Sequence, residues 1–178
     1  MNTKTQKKLG FTLIELLVVI AIIGVLSGVL LQSIESARAK SRDAARISTV
    51  DQINKALEIS ATEDTYSFPS TAGDYSCLGL SADSTPTCSP SGVFTLNVAI
   101  NTALQRNLAG NIPLDPKFQN GIGAAYIYNS WLTPNGLPNG AYLSWVTEGT
   151  TCGRGANSSP VTNVTNGRQC FLRIGNSI

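Results

Sequence analysis

At 178 residues the chain is long enough for one ordinary domain with a modest core. Only 13% of residues are charged and histidine is absent, which excludes histidine-based catalysis and histidine metal ligation. The formal charge of +2 falls to about −1 once Lys4, Lys7 and Lys8 near the start are set aside, so no bulk basicity argues for nucleic acid.

The chain opens with Lys7-Lys8-Leu9-Gly10, then runs almost entirely apolar over residues 11–31. About 20 such residues cross a bilayer as one helix. Positive residues in a short flanking segment favour the cytoplasmic side, so the leader lysines predict that the rest of the chain lies outside. Glu15 falls in the first turn of this run. A carboxylate in hydrocarbon is costly unless paired, so an acid there is a functional candidate by default. Gly24 and Gly28 form G-x-x-x-G, a spacing that lets membrane helices approach closely, although glycine is also common in such spans.

The helical pattern continues over residues 32–64. There is no proline or glycine from Gln32 to Glu63, and alanines and long side chains dominate. Ile47, Val50, Ile53, Leu57 and Ala61 draw one apolar stripe at three- and four-residue steps, so this half is an amphipathic continuation packed on a domain. Asp51 and Lys55 are spaced for an i,i+4 ion pair. Arg38, Arg42 and Arg46 line one face beside Lys40, in a pattern that headgroups or DNA would suit. Glu35 and Asp43 intersperse with them and no aromatics interleave to stack bases, which predicts a solvated face or ion pairs between chains instead.

Residues 65–178 read as a globular domain. Tyr66-Ser67-Phe68-Pro69-Ser70 is a turn, and residues 70–92 form a Ser/Thr/Gly/Asp/Pro-rich loop holding Cys77 and Cys88. Residues 93–100 suit a strand, while 99–108 equally suit a short helix. Residues 125–129 and 141–146, rich in aromatic and β-branched side chains, are strands divided by a Pro/Asn/Gly turn. The tail from Glu148 is mostly Ser, Thr, Asn and Gly, and carries Cys152 and Cys170. Four cysteines outside the cytoplasm read as disulfides with three possible connectivities, Cys77–Cys88 with Cys152–Cys170 being the simplest. Zinc is disfavoured because no C-x-x-C pair occurs. Asn157 and Asn163 begin glycosylation sequons, a weak pattern in so polar a tail.

Lys7-Lys8-Leu9-Gly10 followed by Phe11-Thr12-Leu13-Ile14-Glu15 resembles the prepilin signal of type IV pilins and of the pseudopilins of type II secretion. The resemblance implies an α+β pilin fold, in which a long N-terminal helix with a membrane-spanning first half packs on a small antiparallel sheet. It implies a leader of residues 1–10 removed between Gly10 and Phe11 by a prepilin peptidase, which also N-methylates Phe11. It implies that Glu15 is the filament-assembly acid, pairing with the free amine of a neighbouring copy, while residues 11–31 form the filament core. The partners implied are copies of the chain or related pilins, the peptidase/methylase, an assembly platform and the inner membrane before assembly. The implied destination is the pilus or pseudopilus at the cell surface.

The family often has proline where Gln32 stands here. Pro113-Leu114-Asp115-Pro116 resembles the P-x-D-P element before the sheet of the major pseudopilin, and the Cys-closed tail resembles the D-region of pilins. The major pseudopilin also binds calcium through acids of its C-terminal loop, but Glu148 is the only acid after Asp115, so no metal or other cofactor is expected. No G-x-S-x-G, H-E-x-x-H, phosphate loop or dinucleotide turn occurs, so the chain is expected to be a substrate of enzymes and not an enzyme. The expected function is a structural pilus-like subunit, with a pseudopilus subunit or a non-polymerising anchored or secreted binding domain as alternatives. An ordinary secretory signal cut after Ala37-Arg38-Ala39 is the rival reading of the N-terminus. Its apolar region would be unusually long and would contain Glu15.

Overall fold

The computed structural model describes residues 10–63, 68–71, 75–79, 95–108, 110–116, 126–132, 137–160 and 167–174. The chain divides after Arg38 into two compact units.

A single helix, α1 (Leu13–Glu63), contributes to both units. Its first part is apolar and unpacked: every residue from Gly10 to Arg38 is exposed, with Leu13 at 80% and Val25 at 71%. It is long and apolar enough to cross a membrane. Side chains of this type are normally withdrawn from water, so a surface of this extent marks a lipid or protein contact.

The second unit begins within α1 and holds the core. Val50, Ile53, Ala56, Leu57 and Ala61 are buried, which matches the apolar stripe read from the sequence; Ile47, at its edge, is only partly covered. Asp51 pairs with Arg154 at 2.8 Å, and among the described residues it forms no ion pair with Lys55.

Six strands follow: β1 (Ser76–Leu78), β2 (Thr95–Leu96), β3 (Tyr126–Leu132), β4 (Gly140–Thr147), β5 (Ala156–Pro160) and β6 (Arg168–Ile174), with α2 (Val98–Asn107) between β2 and β3. The sheet order is β2-β1-β3-β4-β6-β5. It is antiparallel from β1 through β5, and the two-residue edge strand β2 adds in parallel to β1. The class is therefore α+β, a long N-terminal helix with a small, mainly antiparallel sheet packed on it.

Register explains the core. Tyr128 lies opposite Leu143, which lies opposite Leu172, and Trp145 lies opposite Cys170. Alternation then puts Tyr126, Tyr128, Ala141, Leu143 and Trp145 on one face, where they join Val50, Ile53 and Leu57 of α1 in a single cluster. The aromatics of the two predicted strands are core and cross-strand residues.

Two regions differ from the sequence expectation: Ser76–Leu78, within the 70–92 segment read as loop, is strand β1 because it pairs with β3, and the C-terminal tail carries strands. Of the two readings left open for residues 93–108, the short helix holds from Val98: among the described residues Thr95 and Leu96 are strand, and the Asn97 side chain accepts from the Ile100 N–H and caps α2. The C-terminal tail is not all loop. Arg168–Ile174 pairs along seven positions of β4, and β5 closes the edge. The buried Asn101 side chain ties α2 to the sheet, donating to Cys77 O at 2.9 Å and accepting from Gly79 N at 2.9 Å.

Candidate functional site

The start of α1 is built around two polar residues three positions apart. Thr12 N donates to Glu15 Oε2 at 2.8 Å, and the Thr12 hydroxyl donates to the same oxygen at 2.7 Å. Glu15 N in turn donates to Thr12 Oγ1 at 3.3 Å. This is a reciprocal capping box, which satisfies N–H groups that the first turn of a helix leaves without partners. Glu15 is exposed and shares a shallow open groove with Phe11, Ile14, Val18 and Val19. Gly10 and Phe11, the residues flanking the expected cleavage, lie just before this cap; Phe11 is 82% exposed and nothing crowds Gly10. Gly24 and Gly28 fall farther along the same exposed helix with no neighbour within 4 Å, so both are open to close approach by another helix.

A second polar cluster lies wholly in the C-terminal unit. Arg46, 3% exposed, donates from Nε and Nη2 to Asp115 at 2.7 and 2.9 Å. Its Nη1 reaches Asp43 at 2.7 Å and Glu148 at 2.9 Å. Arg42 grips Glu148 with two bonds of 2.7 Å. Asp43 also accepts the backbone N–H groups of Glu148 and Gly149, each at 3.0 Å. Burial works against the Arg46 charge, but the bonds and attraction of Asp115, with Asp43 and Glu148, more than offset it and hold the guanidinium well above its usual range.

This corrects the expectation that Arg42 and Arg46 form a solvated or inter-chain face. Both turn inward onto their own domain, and Arg38 alone stays on the surface, 3.7 Å from Glu35. The arginine also fills the space among the three carboxylates. Among the described residues no group of three acids, cysteines or histidines is arranged to hold a metal ion.

Cys152 and Cys170 are joined, with Cα atoms 5.6 Å apart, and both are buried. Cys77 is also disulfide-bonded; its expected partner Cys88 lies outside the described residues. Asn157 is in β5, and Asn163 lies outside the described residues.

Thr12 is the member of this cap that reading the sequence did not single out. Its signal was present as Thr12-Leu13-Ile14-Glu15, the spacing of a capping box ahead of an apolar run. The Arg46 cluster had no such signal, since its acids come from positions far apart in the chain.

Comparison with known proteins adds one match. Residues 5–31 match the prokaryotic N-terminal methylation motif, the signal of type IV pilins and pseudopilins. No curated protein and no solved structure matches the chain.

Proposed function

We propose, on the methylation motif that spans residues 5–31, that this chain is a structural subunit of a type IV pilus-like filament. In this reading a prepilin peptidase removes residues 1–10 and methylates the amine of Phe11. The lysine-bearing leader stays in the cytoplasm, residues 11–31 span the inner membrane and the disulfide-bonded unit lies outside, where oxidised cysteines persist. Cleavage creates an α-amine beside a carboxylate that is otherwise out of place in an apolar helix. When a neighbouring copy's amine pairs with Glu15, two isolated charges in hydrocarbon become one ion pair, so joining the filament is favoured over remaining alone. The exposed apolar helices, with Gly24 and Gly28 allowing close approach, then pack as the filament core, while the C-terminal units form its surface.

The unbroken helix supports this reading over a secretory signal. A cut before Lys40 would fall in the middle of α1, which runs without interruption from Leu13 to Glu63. One observation favours a pseudopilus as the second reading: Asp115 of Pro113-Leu114-Asp115-Pro116 is a buried anchor of the domain, as an element specific to that branch would be. The disulfide-closed tail favours a pilus.

Mass spectrometry of the mature amino terminus, in envelope and sheared surface fractions, tests the proposal. A chain beginning at Phe11 with one added methyl group is expected, and abundance in the sheared fraction selects pilus over pseudopilus. A start at Lys40 or at Met1 would leave an anchored or secreted domain that does not polymerise.

A further inference from the structure

We infer that Thr12 is the positioning residue of Glu15: it divides the carboxylate, holding Oε2 within its own helix and presenting Oε1 to the amine of a neighbouring copy. The inference rests on the filament reading above and concerns how the assembly acid is aimed.

Both Thr12 bonds converge on Oε2, from the backbone N–H at 2.8 Å and from the hydroxyl at 2.7 Å. Oε1 has no hydrogen-bond partner among the described residues. A carboxylate is planar, so fixing one oxygen and the side-chain torsions also fixes where the other points. A free glutamate would have to lose that rotamer freedom on meeting a partner; one already capped has lost it beforehand. The cap also satisfies the Thr12 hydroxyl, the Thr12 N–H and the Glu15 N–H, three groups that hydrocarbon would otherwise leave without partners. The incoming group suits the remaining oxygen: a protonated, singly methylated amine keeps two N–H donors and its positive charge. The subunit is therefore held with one oxygen satisfied and one open.

Thr12→Val and Thr12→Ser separate this role from simple helix formation. Valine keeps the shape and removes the hydroxyl donor, whereas serine restores it. In cells making the full chain, Thr12→Val should yield the methylated Phe11 terminus but about fivefold less sheared filament, the scale of a lost N-cap. Thr12→Ser should stay within about twofold of the parent. Parent-level filaments from Thr12→Val, with Glu15→Ala still unable to assemble, would overturn the inference and leave the filament reading standing. Normal filaments from Glu15→Ala would overturn both.

A second measurement needs neither processing nor assembly. In the detergent-dispersed full chain, Glu15→Ala should speed hydrogen exchange of the Thr12 amide about fivefold, because that amide loses its acceptor. An unchanged exchange rate overturns the cap and the inference with it.

Discussion

Arg46 and Asp115, 69 positions apart in sequence, meet in a two-pronged ion pair of 2.7 and 2.9 Å with both side chains almost fully buried. The pair fastens the Pro113–Pro116 segment to α1. A buried pair of this kind adds little against a well-packed apolar alternative, but losing one partner leaves an uncompensated charge inside. Asp115→Leu should therefore cost about 3 kcal/mol. The double variant Arg46→Met/Asp115→Leu should be distinctly less unstable than the single. Urea unfolding of the detergent-dispersed chain checks this; a double variant no better than the single would contradict it.

Alkaline stability should be set by two buried tyrosines. Burial, aided by the Asp115 charge and opposed by Arg46, pushes the Tyr126 hydroxyl up to about 12, and burial raises Tyr128 as well. In the unfolded chain both titrate near 10. The folded state thus keeps protons that the unfolded state gives up, so stability is intact below about pH 10 and falls as pH rises toward 12. The two hydroxyls differ in what they contact. Tyr128 donates to Pro69 O at 2.8 Å, whereas the Tyr126 hydroxyl has no hydrogen-bond partner among the described residues, and nearby Thr49 donates to Ala45 O instead. Tyr126→Phe should be neutral or stabilising at pH 7 and should flatten the alkaline loss. Tyr128→Phe should cost about 1 kcal/mol at pH 7. Thermal unfolding across pH 7 to 12 reads both effects.

Two glycines of the turn before β5 should respond differently to alanine. Gly155 has φ 72° and a Cβ there would strike the Phe171 carbonyl, which is backbone and cannot move aside. Gly155→Ala should destabilise by well over 1 kcal/mol. Gly153, at φ 64°, faces the tip of Ile47, a side chain able to turn away. Gly153→Ala should cost about 1 kcal/mol, mainly from the backbone. Equal losses in chemical unfolding would show that the Phe171 contact does not matter.

Reduction of Cys152–Cys170 should weaken the domain by about as much as the closed loop predicts. The bond closes a segment of about 18 residues, worth about 3 kcal/mol in the chain-entropy view. The Cys152→Ala/Cys170→Ala chain should unfold at lower urea concentration, with the β5–β6 amides the first to lose exchange protection. Uniform loss across the sheet would instead place the effect in the whole core.

The helix and its two ends were readable because local chemistry determines them: apolar periodicity, the lack of glycine and proline after Gly28, and a Lys-Lys-Leu-Gly signal before it. The strands β3 and β4 were readable from their aromatics. β6 was not, since Arg168, Gln169 and Arg173 interrupt its apolar residues and the surrounding tail is polar; pairing with β4, a non-local event, makes it a strand. The Arg46 cluster was hidden for the same reason. A sequence shows arginines at i, i+4 and i+8 on one face, but which of them find carboxylates depends on where Asp115 and Glu148 fold back. Arg42 and Arg46 reach those folded-back acids, whereas Arg38 meets only Glu35 of its own helix.

The turn after β4 is stitched along α1 at regular intervals. Asp43 holds the amides of Glu148 and Gly149, Ile47 lies over Gly153, and Asp51 pairs with Arg154. These helix positions are four residues apart, so the three contacts lie nearly in line along one side of the helix. Tension applied along the axis of α1 would load them together, in shear, and could not peel them apart one at a time. Slipping the helix by one residue would turn that side away by about 100° and break all three at once.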